Sequence, residues 1–179
     1  MDTAPTIAIR DSRPDDADAI QRIYAHHVLS GAASFEEVPP GVDEILSRRQ
    51  AVLDAKAPYI VAEIGGEVLG FAYAAKFRQR SAFRYTLEDS IYVEPESTGR
   101  GVGTRLLSEL VERCAALGYR QMVAVISGAG NGRSLSLHKR LGFVQAGRLP
   151  NAGFKHGRWV DAIIMQRALG DGPDTPPTT

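Results

Sequence analysis

The chain is short of cysteine, of net charge and of long apolar runs, and each shortage removes a class of protein. Cys114 is its one cysteine, so no internal disulfide can form. Its place on the apolar side of a helical pattern assigns the thiol to core packing. Twenty-one basic and 21 acidic residues cancel, so no global field draws the protein to nucleic acid or to an anionic membrane. Nothing approaches the roughly 18 consecutive apolar residues of a membrane span. Met1 to Ser12 lacks the basic, apolar and small-residue order of an export signal. A cytoplasmic protein is the expectation. The four histidines include no pair four residues apart and no Cys–His cluster, so no metal site is expected.

What is present centres on residues 85–118. Leu87, Ile91 and Val93 alternate with Glu88, Ser90 and Tyr92, the pattern of a strand with two different faces. A turn through Pro95 leads to Gly99, Gly101 and Gly103. Val102, Leu106, Leu107, Leu110, Val111, Cys114 and Leu117 then recur at helical spacing until Gly118 supplies a stop. A strand, a glycine turn and a helix N-terminus together aim free N–H groups and the positive end of a helix dipole at an anion.

The anion site is neither of two common phosphate motifs. No Lys follows the glycines as a P-loop requires, and Thr104 stands where the third glycine of a dinucleotide fingerprint belongs. Spacing alone leaves two readings, a phosphate turn or a glycine-rich connection.

Val93 to Leu107 resembles the acetyl-CoA signature of the GNAT family of N-acetyltransferases, commonly Arg or Gln, two residues, then Gly-x-Gly. Gly101-Val102-Gly103 fits it, and Thr98 occupies the Arg or Gln position. Asn131 to Phe143 is similar to the family's second motif. Ser34 to Pro40, Lys76 to Arg80, Tyr85 to Val93, Leu137 to Phe143 and His156 to Asp161 resemble the phosphinothricin and methionine sulfoximine acetyltransferase subfamily. The resemblance implies acetyl-CoA as co-substrate, held by Ile91, Tyr92, Val93, Gly99, Arg100, Gly101, Val102, Gly103, Thr104, Asn131 and Ser134. It implies a small-molecule amine as acceptor, held by Phe35, Lys76, Arg78, Gln79, Arg80, Glu88, Asp89 and Ser90. It also implies a homodimer whose partner helps to wall the site.

Hydrophobic periodicity and turn signals give the order β-α-α-β-β-β-α-β-α-β-β, an α/β fold with a mixed central sheet flanked by helices. Residues 6–168 read as a single domain, with short last strands at 143–146 and 159–167 joined by a loop over 150–157. Residues 169–179, rich in Pro, Asp and Thr, read as a disordered tail. The family resemblance implies that the strands at 86–94 and 121–126 splay apart around the pantetheine arm.

Two residues are candidates for catalysis. Glu88 is a carboxylate inside an apolar strand, which fits either a base of raised pKa or a salt bridge to Arg84 or Arg78; the resemblance favours the base. His138 is either a core histidine or, standing where the family has a tyrosine, an acid or second base. Asp89 points to the face opposite Glu88, as a structural residue would. Lys76, Arg78 and Arg80 share one side if their strand continues, which suits solvated charges or a fork for an acidic substrate group. Asn131 fits a helix N-cap. Two other functions fit the same motifs: acetylation of a peptide or protein N-terminus, and an acyl-CoA-binding module without turnover.

Overall fold

A computed structural model describes residues 6–31, 33–130 and 132–177 of the chain. Its elements are β1 (Ala8–Asp11), α1 (Ala17–Ser30), α2 (Val42–Asp54), β2 (Tyr59–Ile64), β3 (Glu67–Lys76), β4 (Thr86–Val93), α3 (Val102–Ala116), β5 (Gln121–Ser127), α4 (Gly132–Arg140), β6 (Val144–Lys155) and β7 (Arg158–Ala168). This is the order expected from the sequence. One seven-stranded sheet runs β1-β2-β3-β4-β5-β7-β6. Only the β4–β5 pair is parallel; the other five pairs are antiparallel.

Strand alternation sorts the core into two layers. On β2, Ile60 and Ala62 pack with Leu106, Leu110 and Met122 beneath α3. Tyr59 and Val61 pack with Ile20, Ile23 and Ile45 beneath α1 and α2. The same alternation divides β4. Leu87 joins the α3 layer and Tyr92 packs against the α1–α2 layer, so Glu88 and Asp89 leave the strand on opposite faces.

The helix α3 ends as its sequence requires. Gly118 has φ 87, Tyr119 N–H donates to Cys114 C=O, and Gly118 N–H donates to Ala115 C=O, the paired bonds of a glycine C-terminal stop.

One strand departs from expectation. β6 does not end near residue 146 but continues to Lys155, so the supposed loop over 150–157 is mostly strand. Register shifts between Gln145 and Gly147 and between Leu149 and Gly153 interrupt its pairing with β7. β6 is an edge strand, where Pro150 sacrifices no ladder bond that the sheet needs. The hairpin turns at His156 and Gly157, both at positive φ. Beyond β7, Leu169 is buried and the Arg120 guanidinium donates to Gly172 C=O, Pro176 C=O and the Thr175 hydroxyl.

Candidate active site

β4 and β5 pair only through Thr86–Glu88 and Gln121–Val123. Beyond that point they part around a cleft of about 900 Å³. Gln121 N–H donates to Tyr85 C=O, and Gly128 N–H donates to Asp161 C=O on the far side. Alternation therefore turns the main-chain groups of Ile91 and Val93, and of Val125 on β5, into the gap. Strand edges of this kind accept an extended ligand as an added strand. The Val93 carbonyl is already engaged, accepting a 2.8 Å hydrogen bond from His27 Nε2. Burial holds the His27 imidazole below its ordinary value, opposed by that same hydrogen bond.

The glycine turn closes one end of the cleft. Gly99 (φ 80) and Gly101 (φ 84) are left-handed, and Gly101 directly precedes α3. A Cβ on either would meet open space, so backbone conformation is what demands glycine there. Gly103 answers a different demand. Its Cβ would lie 3.2 Å from Leu137 Cδ2 and 3.7 Å from Val93 Cγ2, so its bareness lets α3 approach α4 and β4. Among the described residues no side chain caps α3, which leaves its first N–H groups available to an anion.

Arg133, at the start of α4, belongs to the same end. Its Nη1 donates to Thr98 Oγ1 at 3.1 Å, while that hydroxyl donates to Pro95 C=O at 2.9 Å. A guanidinium thus stands over the turn at the position where the chain has Thr98.

The opposite end carries the ionisable groups. Glu88 lines the cleft from the α1–α2 face. Among the described residues it has no salt bridge or side-chain hydrogen bond, and Arg84 instead lies over the Tyr85 ring at 4.7 Å. Burial pushes the Glu88 carboxyl above the usual carboxylate range; the Arg78 charge pulls it down and Asp89 pushes it up. From the other face, His138 on α4 pairs with Asp89. Both are buried, and Nε2 lies 2.9 Å from Asp89 Oδ2. His138 Nδ1 lies 2.7 Å from the Ser134 carbonyl. Both ring nitrogens face oxygen acceptors, an arrangement that favours the doubly protonated, charged ring. Burial alone would lower its pKa, but the Asp89 hydrogen bond and charge, with the Ser134 carbonyl, raise it. Asp89 Oδ1 is buried with no hydrogen-bond partner among the described residues.

The cleft brings together most residues that the sequence singled out. Phe35, Glu88, Asp89, Ser90, Ile91, Tyr92, Val93, Gly99, Gly101, Gly103, Thr104, Ser134 and His138 line it. Val102 is buried in the core beneath α3, leaving only its backbone to face an anion. Arg100 is exposed outside the cleft lining. β3 ends at Lys76, so strand alternation does not extend to Arg78 and Arg80. Lys76, Arg78, Gln79 and Arg80 are exposed beyond the cleft lining, with Arg78 stacked 4.2 Å over the Phe77 ring. Asn131 lies outside the described residues. His27 and Arg133 are additions. Arg133 lies within the second motif, whereas nothing local marks His27. Among the described residues no group of His, Cys, Asp and Glu could hold a metal ion, and no helix is long and apolar enough to cross a membrane.

Two parallel strands that part beside an uncapped helix N-terminus leave room for one long ligand laid into the sheet, a layout that suits an acyl-group transferase. Comparison with known proteins makes the class specific: residues 20–143 match the acetyltransferase (GNAT) family, and the chain belongs to it. It is 53% identical over 169 residues to the phosphinothricin N-acetyltransferase of Alcaligenes faecalis, covering 94% of this chain and 86% of that protein. It is 42% identical over 167 residues to the L-methionine sulfoximine/L-methionine sulfone acetyltransferase of Pseudomonas paraeruginosa, covering 90% and 94%. The crystal structure of a GNAT superfamily phosphinothricin acetyltransferase from Sinorhizobium meliloti in complex with AcCoA matches with a TM-score of 0.93 at 49% identity, covering 97% of this chain and 94% of that one.

Proposed function

We propose that this enzyme transfers the acetyl group of acetyl-CoA to the α-amino group of small amino acids of the phosphinothricin, methionine sulfoximine and methionine sulfone type. The observation that carries the reading is Glu88, a desolvated carboxylate with no salt-bridge or hydrogen-bond partner among the described residues, at the point where β4 leaves β5. A carboxylate raised above its ordinary range is a better proton acceptor than an ordinary one. Glu88 deprotonates the ammonium through a water, the Val93 N–H polarises the thioester carbonyl, and the His138 imidazolium supplies the proton for the departing sulfur. The α3 N-terminus and Arg133 hold the pyrophosphate. Phe35 and Ser90 wall the amine, and Arg78 and Arg80 draw its acidic group. Thiol release by the purified protein over a panel of these amines tests the reading. Acetyl-CoA binding by calorimetry with no thiol release from any of them would sink it.

Arg133→Ala should weaken acetyl-CoA by about 1.5–3 kcal/mol, the value of a charged hydrogen bond, with little change in kcat. Thr98→Arg on that background should restore most of the loss. Wild-type affinity in Arg133→Ala would remove this residue from the phosphate site.

Arg78→Ala and Arg80→Ala should each raise the KM for the amine and spare that for acetyl-CoA, costing roughly 1.5–3 kcal/mol in kcat/KM. Arg→Lys should recover only part, because an ammonium lacks the planar two-pronged contact. Arg78→Ala has a second signature. The Arg78 charge lowers the Glu88 pKa, so its loss should move the acid limb of the rate profile to higher pH. If both Ala variants acetylate the anionic amine as wild type does, these arginines are solvated charges.

The proposal extends to domain, assembly and location. Residues 6–168 act as one N-acetyltransferase domain. Leu149, Phe154 and Trp159 are exposed on the β6–β7 hairpin, with Phe154 and Trp159 in edge contact at 5.2 Å, which supports a homodimer formed through that hairpin. Light scattering should show Trp159→Glu shifted to monomer. A buried free thiol, with Cys114 pushed up to about 12 by burial, and an acyl-thioester donor both suit the cytoplasm.

A further inference from the structure

The wall of the cleft formed by Phe35 is not held by its own segment. The described residues among 31–41, between α1 and α2, form no helix or strand, and part of their anchorage comes from the distant β6–β7 hairpin. Lys155, only 2% exposed, donates from Nζ to the Ser34 carbonyl at 2.6 Å. His156 Nε2 lies 3.3 Å from the Gly31 carbonyl. The Ser34 hydroxyl meets Tyr24 OH at 2.9 Å and accepts from Glu36 N–H at 3.1 Å. Between these ties the Phe35 ring rests on bare backbone: a Cβ at Gly153 would stand 2.7 Å from its Cδ1 and 2.8 Å from its Cε1. One side of the ring therefore bears on β6 while the ring lines the cleft.

We infer that Gly153 and Lys155 set the acceptor specificity of the enzyme, by fixing how far the Phe35 ring enters the amine pocket. The inference rests on the proposed amine site and goes beyond it, because neither residue lines the cleft. Lys155 fixes the loop in height through one carbonyl. Gly153 fixes the ring in depth, since any side chain there drives the ring off β6 and towards the substrate. The Gly153 backbone lies outside the left-handed region, so alanine fits it without strain and the steric effect stands alone. Both are positioning residues, acting through Phe35.

The test compares methionine sulfone with its S-ethyl homologue, which differ by one methylene. Gly153→Ala should raise the methyl-to-ethyl ratio of kcat/KM by about tenfold or more, the scale on which a tight pocket reads a methylene. Acetyl-CoA affinity should stay at the wild-type value. Adding Phe35→Leu to Gly153→Ala should return the ratio to or below wild type, and Phe35→Leu alone should lower it. Lys155→Met should raise the KM for both amines several-fold with kcat retained. An unchanged ratio in Gly153→Ala, with acetyl-CoA bound normally, overturns the inference and leaves the amine site standing. If Gly153→Ala does not fold, an unchanged ratio in Phe35→Leu overturns it equally. If wild type acetylates neither sulfone but releases thiol with other amines, the site reading and the inference both fall.

Discussion

Replacing Glu88 by Gln is expected to lower kcat by about 10²–10⁴-fold, the contribution of a positioned proton acceptor, while acetyl-CoA binds as in wild type. The two-sided geometry explains why the loss should be confined to chemistry. Glu88 leaves β4 on the face opposite Asp89 and the helix α4, so the glycine turn and the His138 pair are untouched. Stability gives an independent readout. Burial raises the Glu88 carboxyl above the usual range, and a carboxyl raised on folding favours the fold while protonated. That contribution is complete below its unfolded value and is lost as pH rises through its folded value. The permanently neutral Gln should therefore keep Tm at or above wild type at neutral pH, with the difference closing in acid. The wild-type rate should fall as pH drops through the same raised value, and this limb should vanish in the variant. A clear drop in Tm at pH 7 with modest loss of rate would instead mark Glu88 as a structural ion-pair partner.

The second large effect is expected at His138. Changing it to Phe removes the one partner that a buried carboxylate has among the described residues, where its other oxygen has none. Breaking a buried pair from one side costs about 3–5 kcal/mol. The variant should unfold at a markedly lower temperature while still binding acetyl-CoA at 10 °C. If the imidazolium donates to the leaving sulfur, kcat should also fall by about 10²–10⁴-fold; a fall below about tenfold would leave His138 a core residue. The charge can be tested without removing the ring. Because His138 is raised on folding, the pair stabilises the protein fully below the ordinary imidazole value and progressively less as pH rises through the raised one. Wild-type Tm should decline across that window. Asp89→Asn should flatten the decline and shift the basic limb of the rate profile to lower pH, because the neutral amide no longer holds the ring charged.

These outcomes depend on features that were not equally visible in the chain. α3 and its turn were legible because their determinants are local. A helical period of apolar residues needs one buried face, and Gly99, Gly101 and Gly118 are required by their own backbone angles. The alternation on β4 was legible for the same reason, and with it the opposite directions of Glu88 and Asp89. β6 was not. As an edge strand with mostly exposed side chains and two register shifts, it lacks the period that burial on one face would impose, and Pro150 imitates a loop. The alternation drawn through Lys76, Arg78 and Arg80 failed because nothing local announced the end of β3.

By itself, then, the sequence determined the order of elements, the two-faced strand, the glycine turn before α3 and the family. Each follows from local periodicity, glycine backbone angles or motifs read in order. Tertiary structure alone decided which groups meet. His138 finds Asp89 across 49 residues, and that contact raises its pKa. Arg133 reaches Thr98 across 35, and Lys155 reaches the loop beside Phe35 across 121. Partners so far apart are set by how helices and hairpins pack on the sheet. The charge on His138 and the depth of Phe35 are properties of that packing, because burial and hydrogen-bond partners exist only once the chain has closed on itself.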